Sequence, residues 1–156
     1  MILRIFKTSQ PLSWILIVIL ISIVRVVLFT ITYSLPEEIE STNLFHYWIN
    51  QINLFSPWLS HFVSTILVLY SSFYLNKISQ SIGILNGINY LLVLFAGIFM
   101  SFYPCDLVIS PMLISTPILL FSYHLILDQP KGSVSYSDVF NSSFFIGIAT
   151  LVFFPS

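Results

Sequence analysis

Charged residues are nearly missing from this chain: 7% of its 156 residues are Asp, Glu, Lys or Arg, against about 25% in a soluble globular domain. That shortage excludes most soluble classes. An excess of cations is missing too, since five Lys and Arg stand against six Asp and Glu for a net charge of -1. The electrostatic footprint of a nucleic-acid binder is therefore lacking, and no nucleic-acid partner is expected. Cysteine occurs once, at Cys105, which excludes an internal disulfide and any cysteine-based metal cluster. The residues predict no cofactor.

What fills the chain is apolar: 57% of it is hydrophobic, with 15 Phe, 8 Tyr and 3 Trp, and the mean hydropathy is +0.97. So much apolar surface cannot be hidden inside a small water-soluble body, so lipid is the expected solvent. The prediction is an all-α, polytopic transmembrane helix bundle in contact with the bilayer. A spanning helix needs roughly 20 mostly apolar residues, and five runs qualify, at about 12–33, 57–75, 88–103, 107–127 and from 139 onward. Arg4 and Lys7 precede the first run in the manner of a signal peptide, but the run is too long for an h-region and no small-residue cleavage site follows. It is read as a retained span. The last run stops at Ser156 without a closing loop or anchor charge, which predicts the N-terminal part of a longer chain.

Orientation follows from the few cations, because short loops that carry Lys and Arg stay cytoplasmic. With five crossings, Arg4, Lys7, Lys77 and Lys131 fall on one side, and Glu37, Glu38, Glu40 and Asp106 on the other. The N-terminus is therefore expected in the cytoplasm of a bacterium, with the chain in its inner membrane. Between the first two spans, residues 44–55 form an amphipathic pattern. Leu44, Phe45, Trp48, Ile52 and Phe55 share one helical face, and Asn43, His46, Asn50 and Gln51 lie largely opposite. An interfacial helix on the outer surface is predicted, with Trp48 and Tyr47 at headgroup depth and Trp58 and Trp14 anchoring span ends.

Arg25 is the outlier, since a guanidinium inside a spanning helix costs about 2.5 kcal/mol or more and normally faces a partner. It lies about 12 Å of helix below Tyr33, too deep for complete escape to water. Two readings stay open: an internal ion pair with an outer carboxylate, or an anionic headgroup or phosphate entering from that side. Glu37, Glu38 and Glu40 read most simply as a solvated outer loop. A sharper alternative makes Glu38 and Glu40 a catalytic base or divalent-metal ligands, with His46 and His61 on the same side, although their spacing matches no metal motif. Pro111 and Pro117, each preceded by a hydroxyl residue, predict a kinked or broken helix in the fourth run, a feature of transport and binding sites as well as of ordinary bundles. Gly83 and Gly87 form a GxxxG in a polar loop, a weak dimer signal.

At Ile5-Phe6-Lys7-Thr8-Ser9-Gln10-Pro11-Leu12, at Ser137-Asp138-Val139-Phe140 and at Gly147-Ile148-Ala149-Thr150-Leu151-Val152-Phe153-Phe154-Pro155, the chain resembles an uncharacterised family of polytopic inner-membrane proteins of Bacteroidetes-type bacteria. Its members continue with further spans, and the resemblance lends no catalytic residues. A looser similarity is to membrane glycosyltransferases that use polyprenyl-phosphate donors, which carry an acidic motif just after the first span and surface helices after it. Glu38-Ile39-Glu40 and residues 44–55 stand in those places, though the acidic pair is not an aspartate motif. The expected role is a non-enzymatic scaffold or lipid-handling component of an envelope pathway, with anionic or polyprenyl lipid and membrane protein subunits as candidate partners. A lipid-linked glycosyltransferase, with Glu38 or Glu40 as base or metal ligand, and a transporter built on the fourth span remain alternatives.

Overall fold

A computed structural model describes residues 11–32, 44–84, 90–127 and 136–153. Their regular structure is entirely helical: α1 (Pro11–Thr32), α2 (Leu44–Phe55), α3 (Pro57–Ser81), α4 (Leu91–Ser101), a 3-10 turn (Pro104–Leu107), α5 (Pro111–Leu127) and α6 (Tyr136–Phe153). Pro11, Pro57 and Pro111 each open a helix, where the missing N–H costs nothing and the fixed φ suits the first turn. Gly83, at φ +78°, carries the chain away from α3, a left-handed conformation that a Cβ would strain.

α1 buries one stripe at intervals of four: Ser13, Ile17, Ile21, Arg25 and Phe29. Its other faces expose Ile15, Ile19, Ile23, Val27 and Ile31, as a helix surrounded by lipid would. Ile17 and Ile21 form the apolar core with Val93 of α4, flanked by Leu69 and Phe73 of α3. At this crossing Gly97 of α4 faces Ile21, so a side chain at 97 would collide with it. α3 inverts the soluble pattern. It buries Ser60, His61, Ser64, Ser71, Ser72 and Asn76 and exposes Leu59, Phe62, Ile66 and Tyr70. Small hydroxyl residues let membrane helices approach closely and bond across the contact, whereas lipid gives leucine no reason to hide. α5 and α6 pack as a pair, tied by Ser122 Oγ donating to the Ser142 carbonyl at 2.8 Å and by Phe121 set edge-on to Phe145 at 4.9 Å.

Three helices are long and apolar enough to cross a membrane: Ser13–Thr32 within α1, Pro57–Ser81 and Tyr136–Phe153. This corrects the five expected spans. The run at 88–103 yields α4, only 11 residues or about 17 Å of helix, and that at 107–127 yields α5, 17 residues or about 26 Å, both short of a core about 30 Å thick. The cause is the link between them. Pro104 forces Tyr103 into extended backbone, a single 3-10 turn follows, and Val108 is extended again before Pro111 restarts the helix. Pro117 sits inside α5, which is helical on both sides of it.

The helix expected at 44–55 is present as α2. It rests on the protein through Ile49 and Asn53, while Trp48, Ile52 and Phe55 point outward.

Candidate functional site

The non-helical link at 103–110 poses a problem that builds the site. Backbone N–H and C=O groups away from water must be satisfied by protein, and irregular backbone at membrane depth is tolerated only where protein serves it. Side chains from α1, α2 and α3 do so here. Asn53 of α2 donates through Nδ2 to the Ile109 carbonyl at 3.0 Å, and the Ile109 N–H donates to Ser60 Oγ at 2.8 Å. Ser60 in turn donates to Asn53 Oδ1, which closes the loop.

The next residue of α3, His61, donates through Nδ1 to the Leu107 carbonyl at 2.8 Å. Ser64 Oγ lies 3.1 and 3.0 Å from the carbonyls of Asp106 and Leu107, and its single proton serves one at a time. Arg25 enters from α1 and is completely buried. Its Nη2 donates to the Asp106 carbonyl at 2.6 Å and to Ser64 Oγ, and its Nε donates to Thr65 Oγ1 at 3.1 Å. Thr65 Oγ1 passes its own proton to the His61 carbonyl at 2.8 Å. One guanidinium thus ties α1, α3 and the link together.

Asp106 also contributes its carboxylate, whose charge attracts the Arg25 guanidinium. Oδ1 accepts from Ser110 Oγ at 2.6 Å, and Ser110 Oγ accepts the Leu113 N–H at 3.0 Å, the bond of a helix N-cap. The carboxylate therefore lies by the positive end of α5, where an anion is favoured. All three hydrogen bonds of Arg25 end on neutral oxygens.

Two nitrogens of the site, Arg25 Nη1 and His61 Nε2, are buried with no partner among the described residues. Phe29, one turn above Arg25 on α1, stacks on the His61 ring with centroids 4.3 Å apart, and Trp58 meets Phe29 edge-on at 5.1 Å. Outside this layer a cavity of about 300 Å³ is lined by Phe29, Thr30, Pro57 and Trp58. A second, of about 480 Å³, lies along α2 between Trp48, Gln51, Ile52, Phe55 and Leu59.

Of the residues singled out in the sequence, Arg25, His61 and Asp106 come together here. His46 Nε2 is buried without a partner among the described residues and belongs to none of these hydrogen bonds. Pro111 follows the site as the first residue of α5, and Pro117 lies farther along that helix. Glu37, Glu38 and Glu40 lie outside the described residues. Among the described residues no group of three or more His, Cys, Asp or Glu is placed to hold a metal. Asn53, Ser60, Ser64 and Thr65 went unread in the sequence; hydroxyl residues at 60 and 64, four apart in a helix otherwise rich in Leu, Phe and Tyr, are the signal that marks them. Comparison with protein-family models, with curated proteins and with solved structures gave no match to this chain.

Proposed function

We propose that the chain is a non-enzymatic, lipid-handling component of a bacterial envelope, seated in the inner membrane with its N-terminus in the cytoplasm, and that Arg25 receives an anionic headgroup. The observation that carries this reading is the buried guanidinium, attracted by the Asp106 carboxylate but hydrogen-bonded to neutral oxygens, whose Nη1 has no partner among the described residues. A buried cation in a low-dielectric site is strongly favoured by an anion. The cations at Arg4, Lys7 and Lys77 support the orientation, and the resemblance to polytopic inner-membrane proteins supports the location. On this reading α2 lies at the headgroup level with Trp48 and Phe55 in lipid.

Native mass spectrometry of the chain released from membranes tests it. Wild type should carry an anionic lipid that Arg25→Leu loses and Arg25→Lys retains in part. An anionic lipid held equally by Arg25→Leu would sink the proposal. A divalent-metal-dependent transfer activity abolished by Glu38→Gln or Glu40→Gln would point to the lipid-linked glycosyltransferase instead.

A further inference from the structure

The two unpartnered nitrogens beside Ser64 differ in what they offer. Arg25 Nη1 carries two N–H groups and can only donate. His61 Nδ1 faces a carbonyl, that of Leu107 at 2.8 Å, and a carbonyl can only accept, so Nδ1 holds the ring proton. In the neutral ring Nε2 is then an acceptor. Both nitrogens are buried, in residues that are 0% and 4% exposed. A ligand that satisfies both must therefore accept from one and donate to the other. A carboxylate or a phosphodiester offers acceptors alone and would leave the histidine unserved. A phosphate monoester ionises for the second time at about pH 6. Its singly protonated form presents an anionic oxygen and a P–OH on the same phosphorus.

Phe29 stacks on the His61 ring, lines the cavity of about 300 Å³ and shares the buried stripe of α1 with Arg25.

We propose that this site takes a phosphate monoester, an anionic oxygen accepting from Arg25 Nη1 and the P–OH donating to His61 Nε2. The proposal rests on the reading of Arg25 as an anion-binding residue and adds the chemical class of the anion. The shared chemistry is the monoester group, borne by a lipid or by a soluble phosphate.

The test uses the full chain in phosphatidylcholine nanodiscs with equal amounts of phosphatidic acid, a monoester, and phosphatidylglycerol, a diester, and reads the retained lipid by native mass spectrometry. One extra buried hydrogen bond predicts about tenfold preference for phosphatidic acid. His61→Asn keeps a side-chain donor for the Leu107 carbonyl and lacks the ring acceptor, so it should fold as wild type and bring the ratio close to unity. Displacement of phosphatidic acid by inorganic phosphate would identify the phosphate group alone as the ligand; resistance to it would identify the lipid-borne ester. Equal retention of the two lipids by wild type, or an unchanged ratio in His61→Asn, overturns the monoester proposal and leaves anion binding at Arg25 standing. Retention of neither lipid, with no binding of inorganic phosphate, overturns both.

Discussion

Ser64 stands between Arg25 and the link, accepting from Arg25 and facing the carbonyls of Asp106 and Leu107. Its replacement by alanine removes the hydroxyl and leaves Arg25 on Thr65 and on the Asp106 carbonyl. Side-chain hydrogen bonds between membrane helices contribute about 0.6 kcal/mol on average and up to about 1.7 kcal/mol. Ser64→Ala should therefore cost about 1 kcal/mol in a reversible detergent unfolding titration, without loss of helix content. Asn53→Leu should cost more, because it strips the Ile109 carbonyl and Ser60 of their shared partner at once. Arg25 was legible in the sequence, since a lone guanidinium in an apolar run needs a reason. The surrounding site was not, because the carbonyls of His61, Asp106, Leu107 and Ile109 that organise it are main-chain groups, which every residue possesses and no residue type announces.

At the scale of the helices, α2 was legible to its ends, because an amphipathic repeat over twelve residues followed by Ser56-Pro57 marks both a face and a boundary. α4 and α5 were misread as spans. Hydropathy counts Leu107, Val108 and Ile109 as membrane material, although the backbone there is a 3-10 turn and an extended link bracketed by Pro104 and Pro111. Asp106 and Ser110 show how that link restarts a helix. Ser110→Ala removes the N-cap of α5, about 1 kcal/mol by itself, and also takes the hydroxyl from the buried Asp106 carboxylate. The loss should exceed the cap alone, and the excess should vanish in an Asp106→Ala background, as a double-mutant cycle of unfolding free energies would report. At the α1 and α4 crossing, Gly97→Leu should separate the two helices by driving a side chain into Ile21, with a stability loss of about 1 to 3 kcal/mol.

For the whole molecule, three helices are long and apolar enough to cross a membrane, and the turn that joins the shorter α4 and α5 meets Arg25 of α1. Arg25 is seven residues from Thr32, the last residue of α1, or about 10 Å along the axis. Cys105 in that turn is exposed on the protein surface, and a turn held at the depth of Arg25 would place it in lipid. A membrane-impermeant maleimide added to spheroplasts should leave Cys105 unmodified, and the same reagent should label it after solubilisation. Full labelling in spheroplasts would mean that the turn is an outer loop and that both short helices cross. The all-helical, lipid-facing character was readable from composition alone; the depth of the turn depends on contacts between residues 25, 64 and 106, far apart in sequence.

On the proposed reading the Arg25 guanidinium meets a phosphate inside the protein. Solid-state NMR reads this contact directly, as the dipolar coupling between arginine side-chain nitrogen-15 and phosphorus-31 in membranes. Arg4 and Arg25 are the two arginines of the chain, so an Arg4→Lys variant reports one guanidinium alone. Coupling from an Arg25 Nη nitrogen to phosphorus, at a distance of hydrogen-bonded contact, is the predicted result. A guanidinium that shows its coupling to the Asp106 carbonyl and none to phosphorus would contradict the account.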